Sequence, residues 1–407
     1  MSDRVILHCD CNSFFASVET ALNPAFSNVP MAVCGSQDDR HGIVLAKNEL
    51  AKKYGIQTAE TIVSARRKCP DLVIAEPHYS KYKEYSERVN QIYSRYTDLI
   101  EPFGIDESWL DVTASQKLFG SGFHIAELIS SDVKNELNIT ISVGVSFNKV
   151  FAKLGSDYKK PDAITVIDRE NYKSIVYPLP VSALLFVGKK TSDALLSLGI
   201  RTIGELANTT PQILYERFGK IGDMLYRYAA ALDESPINSI TEDVKSISNG
   251  FTFKHDLVKK EDWKLGIDYL CDEIGTRLRK NGLKCSTVQV SIKDQYFVTI
   301  QRQCSQYPPT NIGAEIADTA YTLLLSDWSQ NKPIRMITVS ATNLVRDDSV
   351  FMQISMFDDS REQKREKKKE SEVVVDKIRE RFGSSAILKA AVIDTDIGIY
   401  DGDKRKS

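Results

Sequence analysis

Residues 235–245, SPINSITEDVK, carry a proline and show no apolar period, so they read as a linker, and no other feature limits the fold as much. Domains run to roughly 100–200 residues, so a chain of 407 residues implies two to four compact units. After the linker the pattern has its own order: a strand at 246–253, a helix at 260–280, strands at 286–293 and 296–303, a helix at 312–328 and a strand at 334–343. That succession, βαββαβ, implies an open four-stranded sheet with two helices behind it. The same sheet occurs in proteins of unrelated function, so it fixes architecture and not activity.

Ahead of the linker, RVILHC at 4–9 suits a strand buried on both faces, and it ends at Asp10. SFFASVETAL at 13–22 reads as a helix, with Asn12 or Ser13 as its cap and Phe14, Val18 and Leu22 along one side. DLIEPFGIDESWLDV at 98–112 reads as two short strands meeting near Gly104, with Asp106 and Glu107 beside the turn. Successive side chains on a strand oppose each other, so a bend or twist is needed to bring both acids to one place. ITISVGVS at 139–146 is a further strand, followed by a helix holding Asn148, Phe151 and Leu154 and then by the basic segment DYKKP. From Leu184 to Gly219 the chain reads as small helices with tight turns, resembling paired helix-hairpin-helix units. The stretch SREQKREKKKE at 360–370 is expected to be a solvated helix or disordered. Beyond it, VVVDKIRERFG and AILKAAVI are apolar enough to pack on a surface that the sequence does not name.

Composition narrows the chemistry. No apolar run approaches the roughly 20 residues that cross a bilayer, and the N-terminal segment lacks a basic flank before an apolar core, so a cytoplasmic chain without membrane insertion is expected. Seven cysteines without a CxxC pair indicate neither a disulfide framework nor a zinc site. Cys9 and Cys11 share one strand face but make no tetrahedral set. Five isolated histidines give no HExxH. Carboxylates remain: one acid at a strand end and two on a hairpin suffice to hold two cations roughly 3.5–4 Å apart for phosphoryl transfer, with a downstream lysine for the triphosphate. Magnesium, a hard ion, takes such oxygen ligands. A net charge of −2 means that any nucleic-acid contact must come from local patches.

Three segments carry a resemblance. DCNSFFASVE at 10–19, GIDESWLDV at 104–112 and SVGVSFNKVFAKLGSDYKKPD at 142–162 resemble, in order, the linked motifs of Y-family DNA polymerases, especially the bacterial DNA polymerase IV group. The likeness extends over roughly residues 4–358. It implies an α/β and α+β multidomain, right-hand polymerase: palm at 1–12 and 78–168, small fingers at 13–77, a helical thumb at 169–234, the linker, and a βαββαβ little finger at 246–347. A clamp-binding segment at 348–360 and a charged tail at 361–407 complete the division.

The resemblance also implies roles. Asp10, Asp106 and Glu107, with the backbone carbonyl of Cys11, would bind two magnesium ions. Phe15 takes the position of the steric gate, where a bulky ring collides with a ribose 2′-hydroxyl. Phe14, Phe15, Lys52 and Lys160 would line the nucleotide site, Lys160 reaching the triphosphate. Lys52 stands where an arginine is usual, and a lysine offers a point charge in place of a planar fork. Ala46 and Glu49 stand where threonine and tyrosine are common, and Glu49 would repel phosphate unless turned away or bridged to Lys53 or Lys47. The thumb residues Gly188, Lys189 and Lys190, and the sheet residues Lys293, Arg302, Arg335 and Arg346, are the candidates for DNA-backbone contact. QISMF, residues Gln353, Ile354, Ser355, Met356 and Phe357, resembles the peptide that binds the bacterial sliding clamp. The expected partners are primer-template DNA, deoxynucleoside triphosphates and the clamp, and the expected state is a monomer. The rivals are another palm enzyme such as a nucleotide cyclase, and a clamp-tethered DNA-binding protein that no longer uses nucleotides.

Overall fold

The apolar run after Arg4 forms strand β1 (Ile6–Cys11), every residue of which is buried. Helix α1 (Phe14–Leu22) follows, then strands β2 (Met31–Cys34), β3 (Val44–Lys47) and β4 (Val73–Ala75). Helix α2 (Tyr79–Tyr93), strands β5 (Ile100–Pro102) and β6 (Glu107–Asp111), helix α3 (Gly122–Leu137), strand β7 (Ile141–Ser146), helix α4 (Lys149–Tyr158) and strand β8 (Ile164–Ile167) continue the chain. This computed structural model describes residues 4–35, 42–238, 243–328, 332–349, 359–383, 385–393 and 395–399, which fall into two units that part between 238 and 243.

In the first unit a five-stranded sheet runs in the order β5-β6-β1-β7-β8. β1 lies at its centre, antiparallel to β6 and to β7, which is why it must be apolar on both faces. One face packs on α2 and α3 through Tyr82, Val89, Ile125, Ile129 and Val133. The other meets α4 so closely that a Cβ on Gly144 would lie 1.8 Å from the carbonyl oxygen of Ala152. The glycine in SVGVS therefore lets α4, which carries Lys153, lie down on β7 and β1. A smaller sheet, β3-β2-β4, has a modest core of its own around Val44, Ile62 and Leu72.

The helical segment comprises α5 (Lys189–Ser197), α6 (Ile203–Ala207), α7 (Pro211–Phe218) and α8 (Lys220–Ala229). Its tightest hairpin is α7–α8: Gly219 has φ +61°, and a Cβ on Gly222 would lie 2.1 Å from the Leu214 carbonyl oxygen. Part of the stretch read as linker is anchored here. Ile237 is 8% exposed and packs with Ile6, Trp109 and Ala152, while the Asn238 amide donates to Glu101 at 2.7 Å.

The second unit has the expected βαββαβ order: β9 (Ser246–Leu257), α9 (Lys260–Lys280), β10 (Leu283–Asp294), β11 (Thr299–Thr310), α10 (Gly313–Asp327) and β12 (Ile334–Arg346). Its sheet is antiparallel throughout in the order β11-β10-β12-β9. Val288, Val290 and Ile292 face the helices, and Gln289, Ser291 and Lys293 alternate on the other side.

The charged stretch expected to be a solvated helix or disordered is helical, part of α11 (Asp359–Phe382), and most of its described residues are exposed, but one side of the helix is tied to this unit. Arg365 pairs with Glu315 at 2.7 Å and Arg379 with Asp272 at 2.8 Å. Arg279, 7% exposed, is held by Glu372 and Asp376. Glu372 also accepts from the amides of Gly313 and Ala314, capping α10. Past the helix, Ile397 and Ile399 enter the core. Within the charged stretch itself, Arg365 meets Glu315, 50 residues earlier in the chain, and Lys369 meets Asp347, so its composition does not by itself show which of its charges face solvent.

Candidate active site

Register brings the acids together. Asp10 on β1 stands directly opposite Glu107 on β6, and the Cys11 amide donates to the Asp106 carbonyl at 2.9 Å. Asp106 precedes β6 and lies in the turn, so it escapes strand alternation; the turn itself supplies the bend that the sequence demanded. Ligand atoms of Asp10, Glu107 and His8 lie within 4.8 Å of one another, a cluster to which Asp106 does not belong. Asp106 instead shares with Asp10 the lining of a cleft of about 440 Å³, together with Cys11, Phe14, Phe15, Ala46, Lys52 and Lys160.

The charges in this site do not balance. Lys160 Nζ lies 2.7 Å from Asp10 and 2.6 Å from Asp157, and Lys153 Nζ donates to Glu107. Burial pushes Glu107 up, but the His8 ring and the Lys153 ammonium outweigh it and bring the carboxyl down to about 2. Burial, with the charges of Asp10 and Glu107, pushes Asp106 up to about 6. Among the described residues Asp106 has no ion pair. Three carboxylates with hard oxygen donors, one of them unpaired and repelled by the others, fit a divalent cation.

His8 and Lys153 were missed in the sequence. His8 is fully buried, with Nδ1 2.8 Å from Ser156 Oγ and Nε2 3.2 Å from Glu107, off the line of a hydrogen bond. Its signal was the two-residue spacing to Asp10, which puts both on one strand face. That of Lys153 was its four-residue spacing to Asp157 on one helix.

Phe15 is half-buried and stacked on Tyr82 at 4.1 Å and 11° between planes. Tyr82 in turn donates to the buried Glu19 at 2.5 Å, so the ring beneath Phe15 is fixed. Phe14 is 3% exposed and belongs to the core. The Cys11 thiol is buried as well, and burial pushes it well up, so that residue offers only its main chain. Neither expected cap acts on α1: Asn12 bonds to Ser142 and Thr140 across the sheet, and Ser13 has φ +49° and no capping bond. The first amides of α1 are thus left without a side-chain acceptor beside the cleft.

Glu49 pairs with neither Lys53 nor Lys47. It holds Lys52 at 2.5 Å and accepts from Ser13 at 3.3 Å, while Lys47 donates to Thr58. Three residues along one helical turn bring Glu49 to Lys52. The outlying candidates divide. Gly188, Lys189 and Lys190 are exposed at the uncapped start of α5. Arg302 is paired in register with the helix-facing Val290 and binds Asp327 of α10 at 2.8 Å, so it does not lie on the open face. Arg335 binds Asp256 at 3.2 Å. Lys293 lies on the open face, Arg346 is exposed at the end of β12, and residues 353–357 lie outside the described residues.

Comparison with known proteins defines the class. Residues 9–157 match the impB/mucB/samB family and residues 244–356 the C-terminal domain of that family. A Y-family DNA polymerase chimera of Dbh and Dpo4 shares the fold, with a TM-score of 0.76 and 22% identity over 84% of this chain and 99% of that one. The chain belongs to the Y family of DNA polymerases, whose members depend on divalent metal. Within it, DNA polymerase IV of Acetivibrio thermocellus is 46% identical, covering 96% of this chain and 98% of the relative, and that of Alkaliphilus oremlandii is 36% identical over 96% and 99%. DNA polymerase IV 2 of Bacillus subtilis is 35% identical over 96% and 95%. The protein is of the DNA polymerase IV type, a DNA-directed DNA polymerase of the translesion class. Among the described residues no helix is long and apolar enough to cross a membrane.

Proposed function

We propose that this chain adds deoxynucleotides to a primer 3′-hydroxyl opposite a template base, with low fidelity, at the cleft beside Asp10 and Asp106. The supporting observation is that Asp10, set opposite Glu107 across β1 and β6, shares with Asp106 a cleft that also carries an aromatic floor and three lysines. Asp10, Asp106, Glu107 and the Cys11 carbonyl would hold two magnesium ions, which when bound supply charge neutralisation to the attacking oxygen and the triphosphate. Lys160 would exchange part of its contact with Asp10 for phosphate oxygens, and the first amides of α1, which have no side-chain cap, would bind more of them at the positive end of the helix. Lys52, which also lines the cleft, is held by Glu49.

Phe15 selects the sugar. Because Tyr82 backs its ring, Phe15 cannot yield to a 2′-hydroxyl without disturbing the bond to Glu19. The sheet of β1 and β6 is the palm, the small sheet the fingers, helices α5–α8 the thumb and the second unit the little finger. Residues 353–357 are proposed to bind the sliding clamp, Gly188 to Lys190 to contact DNA phosphates, and the chain to work as a cytoplasmic monomer.

Single-nucleotide insertion on a primed template with magnesium tests this reading, comparing the parent with Phe15→Ala. The variant should accept ribonucleotides and keep deoxynucleotide insertion; unchanged sugar selection removes Phe15 from the gate. Deleting QISMF should end clamp stimulation and leave basal synthesis, and loss of both would make the segment structural.

A further inference from the structure

The turn between β10 and β11 presents apolar groups to solvent in a fixed form. Tyr296, Phe297 and Val298 are 76%, 68% and 58% exposed, so the tip buries almost nothing of its own. Yet the backbone is closely held. Asp294, 7% exposed, accepts from the amides of Tyr296 at 2.8 Å and Val298 at 2.9 Å, and the Phe297 amide donates to the Asp294 carbonyl at 3.1 Å. Phe297 has φ +64°, a backbone state that suits glycine or asparagine and strains a large side chain. A strained, exposed aromatic contributes little to folding, so its use must be sought in contact with something else.

Charge indicates what that contact is. The Arg335 guanidinium lies 4.9 Å from the centroid of the Phe297 ring and is fixed by Asp256, so one side of the ring is occupied by a cation and the rest is open. Register places Ile334 beside Asp294, which brings the exposed Lys332 to the same end of the sheet as Lys293. The acid of the turn is buried against its amides. An aromatic platform with cations around it fits an unpaired nucleobase flanked by phosphates better than it fits an apolar protein surface.

We propose that Tyr296 and Phe297 form a stacking platform for bases of single-stranded template outside the duplex. This rests on the reading that the chain acts on primed DNA. Arg335 then serves chiefly to orient Phe297, and the open sheet face on which Lys293 lies is left to backbone contact.

The test compares the full-length parent with the Tyr296→Ser, Phe297→Gly double variant; glycine at 297 relieves the strained backbone, so the turn keeps its form. Fluorescence anisotropy would measure binding to a primer-template with a ten-nucleotide 5′ template overhang and to a blunt duplex of equal paired length. The overhang substrate should lose roughly tenfold in affinity, as expected for one or two stacked bases, with the blunt duplex unchanged. Quenching of 2-aminopurine in the overhang by the parent should vanish in the variant. Equal affinity of the two proteins for the overhang, equal losses on both substrates, or a change only in the sedimentation of the protein without DNA would overturn the platform. Primer extension by the parent on the same overhang substrate checks the polymerase reading separately.

Discussion

Two groups of charged side chains are enclosed in this molecule, and they are finished differently. Around Arg279 all four carboxylate oxygens of Glu372 and Asp376 accept hydrogen bonds, from the guanidinium, from Thr276 and from the first amides of α10. Around Asp10 two lysines serve Asp10, Glu107 and Asp157, and Asp106 receives no side-chain donor among the described residues. The first group is closed and holds α11 to the second unit. The second stores repulsion that a divalent cation would release. A buried cluster in which every carboxylate oxygen accepts a hydrogen bond is structural, and one with an acid left over marks the place where something binds.

Arg279→Met should break the closed group most severely, because two partly buried carboxylates lose their cation at once. The second unit should become less stable by about 3–5 kcal/mol, read by hydrogen exchange across α9 and α10. A loss below about 1 kcal/mol would mean that the ion pairs are incidental to the docking of α11.

Asp106→Asn should act in the opposite sense. In a chelator the variant should be more stable than the parent by about 1–2 kcal/mol, allowing for solvent screening, which raises the melting temperature by about 2–4 °C. Its sign follows from the raised pKa: the folded chain binds the Asp106 proton more tightly than the unfolded one, so the metal-free parent gains stability as pH falls through about 6 towards 4. The variant should lack this slope and also the stabilisation that magnesium gives the parent. A variant less stable than the parent at every pH would show that Asp106 is structural.

Glu49→Gln should have the smallest effect, since the Glu49–Lys52 pair is exposed. Freeing Lys52 and removing a negative charge near the phosphates should lower KM for the nucleotide by less than about fivefold, with kcat unchanged. A rise in KM would mean that Glu49 positions Lys52 rather than restrains it.

The acid site was legible because it depends on near neighbours in a regular pattern. RVILHC is apolar on both faces and so had to be a central strand, and GIDESWLDV had to turn at Gly104. Pairing the two strands then put Asp10 opposite Glu107. His8 could have been found by the same alternation and Lys153 by helical spacing. The βαββαβ order was legible for the same reason, though Tyr296 to Val298, read as the start of a strand at 296–303, form the turn before β11 (Thr299–Thr310). The docking of α11 was not legible. Arg279 meets Glu372 and Asp376 across 93 and 97 residues, and charge alone does not say which lysine or arginine will be met. The anchoring of Ile237 failed for a related reason, since one apolar residue in a polar stretch has no period to reveal it.

The most direct measurement is templated single-nucleotide insertion with magnesium by the parent and by the paired substitution Asp106→Ala, Glu107→Ala, with primer-template affinity measured for both. Insertion should be present in the parent and fall by at least about 10³-fold in the variant while DNA binding is retained. Insertion that survives in the variant, or a parent that binds primed DNA tightly and inserts nothing, would contradict the assignment of these carboxylates to catalysis.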